Sequence, residues 1–305
     1  MSKKKKKNGF GIFFAKNIKK VDKMPNFIEK FLNIFVKKET SSTVTISNIK
    51  GAFIGSGIGE SLGLPVKNKT EEELSANPVS DFLGYGDISE PGGVNALCYE
   101  SLSKYINFLS DNNGIKQGVK HFFGLCNIWY NIKVKDEDQR LRIIIPCACI
   151  AGVLYSFCKR DQQTALNAIP DILCDEVIAP AAFIFYVSYF ISLGSNPKTA
   201  VKQSWNKTKK MLKKIGLKIN HDSFTATLHK ILTDCFSKSF DFKTNVLFCV
   251  NKGFYPDLTG NIAGFFSGLF CGLENIPYIW SGFLQKKDAI ETSAVKAVEL
   301  SGVLA

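Results

Sequence analysis

The chain has 305 residues, 45% of them hydrophobic, and a formal net charge of +12, which supplies a sizeable core for one large or two ordinary domains and excludes disorder over most of its length. Lysine carries nearly all of the positive charge, the only arginines being Arg140, Arg142 and Arg160. A dedicated reader of phosphates or bases would favour arginine's bidentate fork, so no specific nucleic-acid recognition is expected.

The basic charge is concentrated at the start, in the run Lys3 to Lys7 followed by Lys16, Lys19 and Lys20. Such a tail is either solvated or drawn to an acidic membrane, nucleic-acid or protein surface. Next comes "MPNFIEKFLNIFVKKE", in which Phe27, Ile28, Phe31, Leu32, Ile34 and Phe35 form an apolar face with lysines beside it. It reads as an amphipathic segment that either meets a partner or a membrane surface, or folds back on the core. Residues 1–47 are therefore set apart as an appendage, and 48–305 as one domain. The stretch "GFGIFFA" is too short for a secretory signal.

In "GAFIGSGIGESLGLPVK" the glycines 51, 55, 59 and 63 stand four apart, the step that returns a helix to one face. Each interior glycine costs about 1 kcal/mol relative to alanine, so a stripe of them implies close approach of another backbone. Helical patterns then recur at 94–110, 115–131, 138–158, 162–175, 177–194, 197–214, 221–236, 240–251, 258–273 and 288–301, with turn and capping sequences between them and little strand patterning. The segment "LTGNIAGFFSGLFCGLENIP" repeats the glycine stripe at Gly260, Gly264, Gly268 and Gly272. The two striped helices are predicted to pack on each other or on a common neighbour, within a compact all-α bundle.

Three uncharged stretches, Ile143 to Cys158, Val177 to Pro197 and Leu258 to Leu273, resemble membrane spans. Only the second reaches the roughly 20 residues a span requires, and it carries Pro180, Tyr186, Ser188 and Tyr189. Buried core helices are expected, with no transmembrane span. The nine cysteines lack a disulfide pattern, and Cys147, Cys149, Cys158 and Cys271 lie in apolar runs. That points to a reducing, cytoplasmic or otherwise intracellular compartment. The scattered His121, His221 and His229 make no metal cluster.

The segments "IKGAFIGSGIGESLGLPVK" and "GFYPDLTGNIAGFFSGLFCGLENIPYIW" together resemble the two signature ends of the ADP-ribosylglycohydrolase family, which includes the dinitrogenase-reductase-activating glycohydrolases. The resemblance covers residues 48 to about 285. It implies an all-α fold and removal of ADP-ribose from proteins or small carriers, with two magnesium ions held by carboxylates. Hard dications want oxygen ligands, and a pair of them orients hydroxyls and activates water.

Against that pattern most of the acids are missing. The family's G-D-A-L-G-x-P-x-E becomes Gly59-Glu60-Ser61-Leu62-Gly63-Leu64-Pro65-Val66-Lys67, with Lys67 in place of the terminal acid and Glu60 for the aspartate. The T-D-D-T signature aligns with Glu90-Pro91-Gly92-Gly93, where Pro91 and Gly92 replace both aspartates and Glu90 is the one nearby acid. D-x-D-T-x-G-x-I-A-G aligns with Tyr255 to Gly264, retaining Asp257 but placing Tyr255 and Leu258 at the other aspartate and the threonine, with Thr259 beside them. Asp257 is expected either to cap the helix that follows or to persist as a residual ligand, and Lys67 to pair with Asp257 or Glu60 in place of a lost cation. The glycine-rich loop ending in methionine and arginine is replaced by "KVKDEDQRLRIIIP".

The resemblance with these losses implies a catalytically inactive member kept as a structural or protein-interaction module, without a catalytic residue, metal or cofactor. Glu60, Lys67, Glu90, Asp257 and Thr259 are the vestigial site positions. A protein partner or larger assembly is expected, with an acidic surface for the lysine-rich tail. The alternatives are a divergent hydrolase, for which magnesium would be required, and an ADP-ribose binder without turnover.

Overall fold

The structure is a computed structural model, and it describes residues 44–81, 137–157, 175–214, 216–284 and 287–300. Its α-helices are α1 (Ile46–Gly63), α2 (Glu71–Ala76), α3 (Glu137–Phe157), α4 (Asp175–Ser192), α5 (Pro197–Lys214), α6 (Phe224–Lys238), α7 (Phe242–Val250), α8 (Pro256–Cys271), α9 (Tyr278–Gly282) and α10 (Lys287–Leu300). Among the described residues there is no strand. The predicted all-α class holds.

The predicted glycine stripes meet. Helices α1 and α8 run antiparallel, and each step of four along one is matched by a step of four back along the other. Gly51 faces Gly268, Gly55 faces Gly264, Gly59 faces Gly260, and Gly63 faces Pro256 and Asp257. A Cβ on Gly51 would stand 2.5 Å from the Gly268 carbonyl oxygen, and one on Gly55 or Gly59 closer still to its partner carbonyl. The helix backbones therefore touch, with no layer of side chains between them, and the contact replaces what the glycines lose in propensity.

Around this pair the other helices pack an apolar core. Helix α7 packs on α8, α10 on α1, and α4 lies between α3 and α5. The core holds Phe53 and Phe265 edge to face across the α1–α8 pair, with Phe183, Phe185, Phe236, Phe242, Phe266 and Trp280 fully buried. The span-like stretches accordingly become core helices. Among the described residues no helix is long and apolar enough to cross a membrane.

Helix boundaries follow caps that the apolar periodicity does not register. Thr45 and Asn48 form a capping box that starts α1 at Ile46. The predicted start at 221 moves to Phe224 because Ser223 Oγ accepts from the Ala226 amide, and the start at 240 moves to Phe242 because Asp241 accepts from Thr244. The short helices α2 and α9 were not expected, being under two turns and carrying no apolar period. The segment at 24–38, the predicted helices at 94–110 and 115–131, and most of that at 162–175 lie outside the described residues.

Cys235, Cys249 and Cys271 are free thiols, the first two buried. The hydrogen bond that the Cys249 thiol donates to Cys235, then burial, holds it well above the usual range. Burial pushes Cys271 up to about 11. Because the thiolate is the reacting form, peptides carrying Cys249 and Cys271 should stay unmodified by iodoacetamide at pH 8 in the native protein. They should alkylate fully in guanidinium, as read by peptide mass mapping. Rapid native labelling of Cys249 would contradict this packing.

Candidate functional site

The site lies where α1 ends and α8 begins. Helix α1 closes in a 3-10 turn, Leu64–Val66, with Pro65 inside it, and Lys67 is the cap. At the start of α8, Pro256 takes the first helical position, which its fixed φ favours, and Tyr255 is the N-cap with φ 45° and ψ 63°, the left-handed region. A bulky residue there is strained by about 1–3 kcal/mol. Tyr255 is held by aromatic packing on Phe224 and Phe254, with ring centroids 5.4 and 5.1 Å away.

Asp257 therefore falls inside the first turn of α8, and the helix has no side-chain cap hydrogen bond. The capping expectation is corrected: the cap position belongs to Tyr255, one residue before the proline. The Asp257 carboxylate instead forms an ion pair through Oδ2 with the Arg142 guanidinium of α3, their side chains being 3% and 21% exposed. Arg142 also lies 5.9 Å from the Tyr255 ring centroid. Oδ1 of Asp257 is buried and makes no hydrogen bond among the described residues.

The expected pairing of Lys67 is also corrected. Lys67 is exposed and lines a cleft shared with α6 and the loop after α7. The cation beside Asp257 is Arg142, because the 3-10 turn after α1 carries Lys67 outward while α3 passes over the start of α8.

Glu60 is buried on the α1–α8 seam, 2% exposed, where Asn261 Nδ2 donates to its Oε2 at 3.4 Å. Thr259 faces inward to backbone, its hydroxyl lying 3.0, 3.1 and 3.3 Å from the carbonyls of Tyr255, Phe254 and Cys249. It thereby ties the first turn of α8 to the preceding loop. Glu90 lies outside the described residues. The structure thus brings Glu60, Asp257 and Asn261 to one end of the seam and turns Lys67 and Thr259 away from it.

Arg142 was the residue missed. Its available signal was the placing of two of the three arginines, Arg140 and Arg142, at the start of the apolar run "IIIPCACIAG" in a chain where lysine is the ordinary cation. Guanidinium stays protonated at any ordinary pH. A carboxylate paired with it is a weak base and carries no spare charge for a dication. Magnesium demands near-octahedral oxygen ligation, and among the described residues no group of three or more His, Cys, Asp or Glu comes together to hold a metal. These residues do not fit a two-magnesium centre.

No family model matches the sequence, and no curated protein matches it. Among solved structures the chain is similar to one described as an ADP-ribosylglycohydrolase-related protein complex. The TM-score is 0.57 and the identity 16%, over 84% of this chain and 98% of that one. The chain has the ADP-ribosylglycohydrolase-like all-α fold.

Proposed function

We propose that the chain is a catalytically inactive protein of ADP-ribosylglycohydrolase-like fold, kept as a structural or protein-interaction module. The observation that carries this reading is the Arg142–Asp257 ion pair, which commits the one retained signature aspartate to a permanent cation. Exposed Lys67 at the position of the terminal acid adds to it, since an ammonium neither ligates a metal nor accepts a proton at neutral pH. The α1–α8 seam, with backbones in contact at every glycine step, is what such a module retains. The lysine run at 3–7 supplies a contact for an acidic surface on a protein partner or larger assembly. The free thiols of Cys235, Cys249 and Cys271 suit a reducing, intracellular compartment.

A second reading rests on the buried Oδ1 of Asp257 without a hydrogen bond: a divergent hydrolase using Asp257, Glu60 and Glu90 with one magnesium, or an ADP-ribose binder without turnover. Calorimetric titration of the full chain with ADP-ribose, with and without magnesium, separates the readings when combined with an assay of release from an ADP-ribosylated protein. The expected result is no magnesium-linked heat and no release. Magnesium-linked binding with release that Asp257→Asn abolishes would overturn the proposal, and saturable binding without release that Asp257→Asn abolishes would favour the binder.

A further inference from the structure

Beside the turn that follows α1 is a cleft of about 500 Å3, walled by residues 67–71, by α6 and by the loop after α7. Its volume lies within the range of about 300–1,000 Å3 typical of small-molecule sites. Gly253, at φ 64°, builds one wall: a Cβ there would lie 2.6 Å from the Thr70 carbonyl carbon and closer still to the Glu71 amide. The loop before α2 is thereby pressed onto the loop after α7. A capping box between Thr70 and Glu73 fixes the same loop from the other side.

Four lysines line the cleft, Lys67, Lys69, Lys230 and Lys252, against two carboxylates, Glu71 and Asp234. Lys252 is used internally, its Nζ lying 2.6 Å from Glu71 Oε1. The structure gives Lys67, Lys69 and Lys230 no ion pair among the described residues, and all three are exposed. Three unpaired ammonium groups thus border one concavity whose apolar lining is Ile231 and Phe254.

We infer that this cleft binds a small anion carrying two or more linked phosphates. Ammonium groups bind phosphate as point charges from several directions. One phosphate monoester carries about −1.5 to −2 at pH 7, so three unpaired lysines match a chain of phosphates better than a single one. Glu71 and Asp234 stand among the lysines and would repel an extended polyanion running across the face, which favours a compact ligand over nucleic acid. The site does not depend on turnover at the end of the α1–α8 seam.

The test is calorimetric titration of the full chain with inorganic pyrophosphate at low ionic strength, without magnesium. Comparison variants are Lys69→Glu, Lys230→Glu and, as a control, Lys198→Glu on the exposed face of α5. The wild type should bind, and each cleft variant should bind about tenfold more weakly or less, the loss of a contact between charged groups. Lys198→Glu should bind as the wild type does, with melting temperatures unchanged throughout. Absence of pyrophosphate binding overturns the inference. So does equal weakening by Lys198→Glu, which would mark attraction to net charge. Binding unaffected by both cleft variants also overturns it, because the anion would then sit elsewhere, as on the N-terminal lysine run.

Discussion

Gly59→Ala is expected to lower the unfolding free energy by about 3 kcal/mol, the upper part of the range for overpacking a close-packed interior. At an open helix position the same change would be stabilising by about 1 kcal/mol, so the sign itself reports the contact. The added methyl would meet the Gly260 carbonyl and the Asn261 amide. Both are backbone atoms of a buried helix, and neither can rotate aside as a side-chain end would. The helices must separate, and every glycine step along the seam loosens with them. Denaturant unfolding reads this as a lower midpoint at unchanged slope. Gly282→Ala, at the last residue of α9 with nothing within 4 Å, should leave the midpoint where it is or raise it, and not lower it. An unshifted midpoint in Gly59→Ala would mean that the α1 and α8 backbones do not touch.

The seam was legible in the sequence because a spacing of four is a local signal: it names the face and the small size of the residues on it. Its antiparallel register also follows once two such stripes are required to interdigitate at backbone distance. The ends of the helices were less legible, since Thr45, Ser223 and Asp241 act by single hydrogen bonds to amides that an apolar period does not register. Asp257 was misread as a cap although Pro256 precedes it, and proline's preference for the first helical position already places the cap at Tyr255. The partner of Asp257 was not legible at all. Arg142 lies on a helix far away in the chain, and no local pattern fixes how α3 crosses the start of α8. Lys67 looked like a substitute cation because the alignment put it at the acid's position. The 3-10 turn at Leu64–Val66 decides its direction, and direction is a property of the backbone rather than of residue type.

Arg142→Met is expected to cost about 3 kcal/mol, the lower end of the range for removing one partner of a buried ion pair, because the arginine retains some exposure to water. The loss arises from Asp257: at 3% side-chain exposure its carboxylate has no route to solvent once the guanidinium is gone. The reverse change should be milder. Asp257→Asn leaves a guanidinium that is 21% exposed and able to find water, so about 1 kcal/mol is expected, the size of an ordinary hydrogen bond. Combining Arg142→Met with Asp257→Leu removes both charges together and should recover most of the loss, since an apolar pair of similar volume commonly equals a buried ion pair in stability. Wild type, Arg142→Met, Asp257→Leu and their combination form a double-mutant cycle whose coupling term isolates the pair from the packing of either side chain. Strong coupling would mean that Asp257 is held as a structural partner, its charge answered from within the bundle as the inactive reading requires. A coupling near zero would leave Asp257 available to an outside cation. In that case the magnesium-dependent titration, rather than the fold, decides whether the end of the seam still does chemistry.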